Sequence, residues 1–277
     1  TTTMEPPTAT PAATPGCAPQ PPGMAAWWPL DEPNGTWAMD AVGANHGTVQ
    51  GGAAVANPAK VGPGRTFDGA TGLVVVPSAP ALDAGVGDFS IDAWINPASD
   101  AQLPIVTKLY APADAPLGYA FSLEARQLTF RMSNEGSSLM AVAPGMLPLD
   151  GGWHLVAVTV ERGSTTGGRM YADGALVHTF DTTPLVGPVD TTAELHIGEQ
   201  PVWQRGQRPA YFEGGIDEVE LFHRALTEAE IRALYDAGAL GKCDKPGLPI
   251  PLAGGGAEAE GPVGSHGARA ARAHRGM

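Results

Sequence analysis

The stretch Gly214 to Gly238, GGIDEVELFHRALTEAEIRALYDAG, decides the fold. Ile216 to Phe222 is rich in branched and aromatic side chains and reads as a strand, yet it contains Asp217, Glu218 and Glu220. At least one carboxylate must therefore face something other than solvent. Period-two alternation places Asp217 on the face of Val219 and Leu221. Thr227 and Glu230, three residues apart, form a capping box in which hydroxyl and carboxylate satisfy orphan amides at a helix start. Ile231, Leu234 and Tyr235 then recur at helical spacing, and Gly238 supplies a left-handed stop.

Outward from this stretch the chain is a series of short strand-like runs punctuated by Gly, Pro, Asn and Asp. Leu73 to Val76 is one, closed by Pro77. In Asp88 to Ile95 the residues alternate: Phe89, Ile91, Ala93 and Ile95 face one way, toward a core, and Ser90, Asp92 and Trp94 the other. Ile105 to Lys108, Tyr119 to Glu124, Leu128 to Met132, Trp153 to Glu161, Glu194 to Gly198 and Tyr211 to Phe222 continue the pattern. Asp173-Gly174 is the sharpest hairpin signal, because a type I′ turn needs positive φ at both central residues.

A strand followed by one amphipathic helix, close to the end of a strand-rich chain, resembles the closing signature of laminin G-like jelly-roll domains in the concanavalin A-like lectin and glucanase superfamily. WWPLDE (27–32), GANHGTV (43–49), FDG (67–69), DFSIDAWINP (88–97), WHLVAVTV (153–160) and YADGALV (171–177) are similar to that family in its order. The resemblance runs from about Trp27 to Cys243. It implies an all-β fold, a two-sheet antiparallel jelly-roll sandwich with one short C-terminal helix. Trp27, Trp28 and Trp153 then fall on core positions. The chain divides into a Thr/Pro-rich leader (1–24), the jelly roll (25–243) and a Gly/Ala/Arg-rich tail (244–277).

The two cysteines, Cys17 and Cys243, bracket the recognised region. In a jelly roll the first and last strands are neighbours, so a disulfide is expected; two unpaired thiols are the alternative. With 16 basic and 29 acidic residues the net charge is -13, which disfavours nucleic acid and anionic membrane and suits calcium or simple solubility. No apolar run reaches the length of a membrane span. A chain starting at Thr1 rather than Met is read as the mature end of an exported precursor or as a cut boundary. The expected location is extracellular or periplasmic.

The family resemblance implies a structural calcium held by the domain start, an early strand-end loop and the Asp of the last strand, which fall here on Asp31, Asp68 and Asp217. The alternative for Asp217 is to accept hydrogen bonds from the turn Phe67 to Gly69. Sugar recognition asks for an aromatic platform with polar groups beside it. Trp37, Tyr110, Trp203 and Tyr211, with Arg205 and Arg208, are the candidates, and the loop Pro201 to Phe212 combines both chemistries. Glycan-cleaving relatives carry E-x-D-x-E or E-x-D-x-x-E; neither is present, and Glu218 and Glu220 read as solvated surface. The seven histidines show no zinc spacing. The sequence thus reads as a secreted, non-catalytic binding module for glycan or a protein partner. The competing reading is a structural or decorating subunit of a larger extracellular assembly, docked through its two tails.

Overall fold

A computed structural model describes residues 16–110, 116–201 and 208–243. Among them the first strands are β1 (Met24–Trp28), β2 (Trp37–Ala38), β3 (Gly47–Gln50), β4 (Ala54–Ala56), β5 (Gly64–Asp68) and β6 (Leu73–Val76). The middle of the chain forms β7 (Phe89–Pro97), β8 (Leu103–Tyr110), β9 (Leu117–Glu124), β10 (Gln127–Ser133), β11 (Ser138–Met146) and β12 (His154–Val160). Then come β13 (Gly168–Ala172), β14 (Ala175–Phe180), β15 (Leu195–Ile197), β16 (Glu199–Gln200), β17 (Ala210–Tyr211), β18 (Glu213–Phe222) and helix α1 (Glu228–Ala237).

Two antiparallel sheets stack face to face. The first runs β14-β13-β12-β7-β18-β5-β4, with β1 also on β18; the second runs β11-β10-β9-β8-β15-β6-β3-β2. Ile91, Ala93 and Ile95 of β7 and Val156 and Val158 of β12 point between the sheets, where they meet Ile105, Phe121, Phe130 and Ile197. The alternate residues of β7 and β12 are buried as well. Trp94, Leu155 and Ala157 lie under Ile231 and Leu234 of α1, so these strands have an apolar layer on both faces. The jelly-roll expectation holds, and so does the helix. Thr227 and Glu230 form the reciprocal capping box, and Asp173 (φ 52°) and Gly174 (φ 75°) close the β13–β14 hairpin. Gly238 has positive φ but a ψ of -127°, so it stops α1 outside the left-handed helical well.

The alternation of β18 is interrupted. Glu218 takes φ 51°, the pairing with β7 slips between Asp217 and Glu220, and the extra residue reverses the facing of what precedes it. Ile216, Val219 and Leu221 therefore all enter the inter-sheet core. Asp217 pairs with Trp94 and Glu220 with Asp92, on the α1 side. This corrects the placement of Asp217 with Val219 and Leu221. The same bulge is where the edge of β18 changes partner: Glu213 to Ile216 pair with β5, and Val219 to Phe222 with β1.

Cys17 and Cys243 form a disulfide with Cα atoms 5.0 Å apart. Ala18 bridges Lys242 beside it, with Ala18 N–H donating to Gly241 O and Cys243 N–H to Ala18 O, each at 2.8 Å. Residues 1–15 and 244–277, the bulk of the leader and the whole tail, lie outside the described residues. Among the described residues no helix is long and apolar enough to cross a membrane.

Candidate functional site

The partner change on β18 brings three chain segments together. The end of β1 runs on to Asp31, the loop between β4 and β5 carries Lys60, Val61 and Gly62, and the bulge supplies Asp217 and Glu218. Carboxylate oxygens of Asp31, Asp217 and Glu218 lie within 4.8 Å of one another. Asp217 Oδ2 accepts the backbone amides of Lys60 at 3.0 Å and Val61 at 2.8 Å. Gly64 lets the carboxylate lie close, since a side-chain carbon there would come within 3.1 Å of Asp217 Cγ and 2.6 Å of Ala59. Three hard oxygen donors at a buried junction, walled by backbone, suit a calcium-like cation. Asp31, Asp217 and Glu218 are the residues that would hold it. It would supply positive charge tying the end of β1, the β4–β5 loop and β18 together.

Asp68 is not among them. It ends β5 opposite Glu213, four residues from Gly64, which is about 13 Å along a strand. Its carboxylate accepts the amides of Ala70, Thr71 and Gly72 and the Thr71 hydroxyl, and these bonds hold its pKa well below the ordinary carboxylate range. The early loop that reaches Asp217 is therefore the one entering β5. The turn leaving it, at Phe67 to Gly69, lies opposite Gly214, Glu213 and Phe212, further along β18 from Asp217 than the alternative reading had it.

Glu218 links this junction to a buried ionic box. Its Oε2 accepts the Trp27 indole N–H at 2.9 Å and the Lys242 ammonium at 2.7 Å. Lys242 also donates to Glu220 Oε1 and lies 4.4 Å above the Trp27 ring. Burial alone lowers the Lys242 pKa, but Glu220, Glu218 and Asp92 around it outweigh that and raise it, so it stays cationic. Burial and the neighbouring Glu220 charge push the fully enclosed Asp92 well above the carboxylate range. Glu218 and Glu220 are both 1% exposed, so the reading of them as solvated surface is wrong. The signal missed was two adjacent acids in one buried strand, which strict alternation cannot place, with a lone lysine next to the bridging Cys243.

The carbohydrate candidates that are described, Trp37, Tyr110, Arg208 and Tyr211, fall on separate segments: β2, the end of β8, and β17 with the residues just before it. Trp37 is 44% exposed on β2, the last strand of the second sheet. Tyr211 is half-buried on β17 facing Glu199, and burial followed by that carboxylate raises its phenol pKa. Arg208 is exposed just before β17. Tyr110 closes the opposite end of β8 from Ile105, whose carbonyl accepts Gly198 N–H near β16. Trp203 and Arg205 lie outside the described residues. Trp27 and Trp28 are buried as expected, and Trp153 is partly buried against the α1 cluster.

Residues 68–232, more than half of the chain, match the laminin G-like profile of the concanavalin A-like lectin/glucanases superfamily. The chain belongs to this family. Solved structures of similar fold include the binding domain of Paraclostridial Mosquitocidal Protein 1, at 15% identity and a TM-score of 0.60, over 77% of this chain and 52% of that one. The binding domain of botulinum neurotoxin DC in complex with SialylT aligns at 16% identity and a TM-score of 0.56, over 78% and 52%. Trypanosoma rangeli sialidase aligns at 22% identity and a TM-score of 0.57, over 82% and 35%. The laminin G-like chain thus spans about half the length of the toxin domains and about a third of the sialidase. No curated protein matches it.

Proposed function

We propose that the protein is a secreted, non-catalytic binding module that recognises a glycan or an extracellular protein, with calcium as a structural ion at Asp31, Asp217 and Glu218. The observation that carries the non-catalytic part is the use of the closing-strand acids. Glu218 and Glu220 are buried and bound to Lys242, and Asp92 is enclosed with them. Acid–base cleavage of a glycosidic bond needs two carboxyls flanking an open substrate path. Glu218 and Glu220 instead pair with a buried lysine beneath α1, and Asp92 is enclosed beside them. Support for binding comes from family membership and from a fold shared with toxin binding domains. The disulfide supports an oxidising, extracellular setting.

Binding to an array of oligosaccharides, with and without calcium, tests the reading together with hydrolysis of chromogenic glycosides. Retention without turnover is the expected result. Multiple turnover of any glycoside overturns it.

A further inference from the structure

One rim of the sandwich carries two adjoining clefts of about 340 Å³ each, which share Asp190. The first lies between Ser78, Asp83 and Thr192; the second lies between Asn134, Glu135 and Val186. The loops that form them are tied to one another. Asp190 Oδ1 accepts Gly85 N–H at 2.7 Å, and Asn134 Nδ2 donates to Val186 O at 2.6 Å. Arg162 spans the rear of the rim, donating to the carbonyls of Gly85, Leu185 and Gly187 at 3.3, 2.9 and 2.7 Å. A fully buried Lys108 donates to Asp83 Oδ1 at 2.7 Å and to Thr191 O at 2.5 Å, fixing the floor of the first cleft. A rim fastened in this way presents its remaining groups without an ordering cost on binding.

Those remaining groups decide what fits. The clefts offer carboxylates of Asp83, Glu135 and Asp190 with hydroxyls of Ser78 and Thr192, and among the described residues none that lines them is basic. The two nearby cations face inward, onto Asp83 and onto backbone carbonyls. A ligand must therefore donate hydrogen bonds and carry no negative charge. Vicinal sugar hydroxyls do this, because O–H groups on ionised carboxylates make short, charge-assisted bonds. A carboxylated sugar would meet the like charges of Asp190 and Glu135, with Asp83 already paired to Lys108.

We propose that this rim is the glycan-binding site and that it selects neutral pyranose units against sialylated ones. The proposal rests on the binding-module reading above and names its ligand class and location. The test is an array pairing neutral galactose-, glucose- and mannose-terminated oligosaccharides with sialylated forms of the same cores, followed by titration of the best binder. Two variants accompany it. Asp190→Asn keeps an acceptor for Gly85 and loses the charge; Thr192→Trp fills the first cleft from an exposed position. Neutral glycans should bind at least about tenfold more tightly than their sialylated forms, and each variant should weaken them by about tenfold or more. Equal or tighter binding of sialylated forms overturns the proposal. Neutral binding untouched by both variants also overturns it, while leaving the binding-module reading in place. Binding of no glycan by the unaltered protein overturns this site and the glycan arm of that reading together.

Discussion

Lys242 and Glu218 meet 2.7 Å apart inside the protein, one residue from the disulfide that closes the domain. The contact joins the last described segment of the chain to the bulge of β18. Two buried groups of opposite charge cost several kcal/mol to desolvate, and removing one leaves the other without compensation. Here the imbalance is larger, because Lys242 serves Glu218 and Glu220 with Asp92 close by. Lys242→Met should lower unfolding stability by about 3–5 kcal/mol in urea titration. Adding Glu220→Gln should recover part of the loss. An unchanged midpoint for Lys242→Met would show that the box contributes nothing to folding.

The disulfide positions this lysine. Cys17 and Cys243 are 226 residues apart in sequence, and closing so long a loop contributes up to about 5 kcal/mol in the chain-entropy model. Cys17→Ser with Cys243→Ser removes that constraint on the unfolded chain and frees the segment carrying Lys242. Combining the double serine variant with Lys242→Met should cost less than the two losses summed, because both act on one strap. Additive losses would show the two contacts to be independent. Intact mass under non-reducing conditions checks the bridge directly; two free thiols in native material would remove it.

The parts of the fold that were legible depend on neighbours in sequence. The capping box of Thr227 and Glu230, the spacing of Ile231 and Leu234, and the Asp173-Gly174 turn each need only a few consecutive residues, and the alternation of β7 needs only one sheet face to be apolar. The acidic cluster was half legible. Asp31 and Asp217 do come together, and the third carboxylate beside them is Glu218 and not Asp68. The bulge arises because two different strands, β5 and β1, share one edge of β18, and no local pattern reports a change of partner. The amides of Lys60 and Val61 that hold Asp217 are backbone groups, which side-chain chemistry does not reveal.

His154 makes stability depend on pH near neutrality. Its Nδ1 lies 2.8 Å from Asp173 Oδ2 and its Nε2 3.3 Å from Asp150 Oδ1. The hydrogen bond to Asp173 raises its pKa above 6.5 and outweighs burial, which lowers it. A group whose folded pKa is raised contributes stability that is fully present below its unfolded pKa and is lost as pH rises through the folded value. Lys60, whose pKa burial lowers and whose charge couples to Asp173, and Asp150, whose pKa the Gly152 amide lowers, face the same cluster. Melting temperature should therefore fall as pH is raised from about 6.5 through the folded His154 pKa. His154→Gln should flatten that part of the curve and leave the acid limb in place. A slope unchanged in the variant would assign it to other groups.

Calcium separates the two ligand sets that Asp217 could belong to. If Asp31, Asp217 and Glu218 hold the ion, charge count at the site sets its affinity, and Asp217→Asn should weaken binding by about tenfold or more in calorimetric titration of chelator-treated protein. Asp68→Asn should leave the calcium heat unchanged, because Asp68 ends the far side of β5 and its oxygens already bind the turn at Ala70 to Gly72. Its cost should appear as a small loss of melting temperature, with or without the ion. Calcium at a hundredfold excess over its dissociation constant stabilises the folded state by about 2.7 kcal/mol, so the unaltered protein should melt higher with calcium and Asp217→Asn should not. Loss of the heat in Asp68→Asn alone would return Asp68 to the ligand set and place the ion at the β5–β6 turn. No heat and no melting shift in the unaltered protein would leave Asp217 as the acceptor of the Lys60 and Val61 amides, a backbone clamp that fixes the loop entering β5.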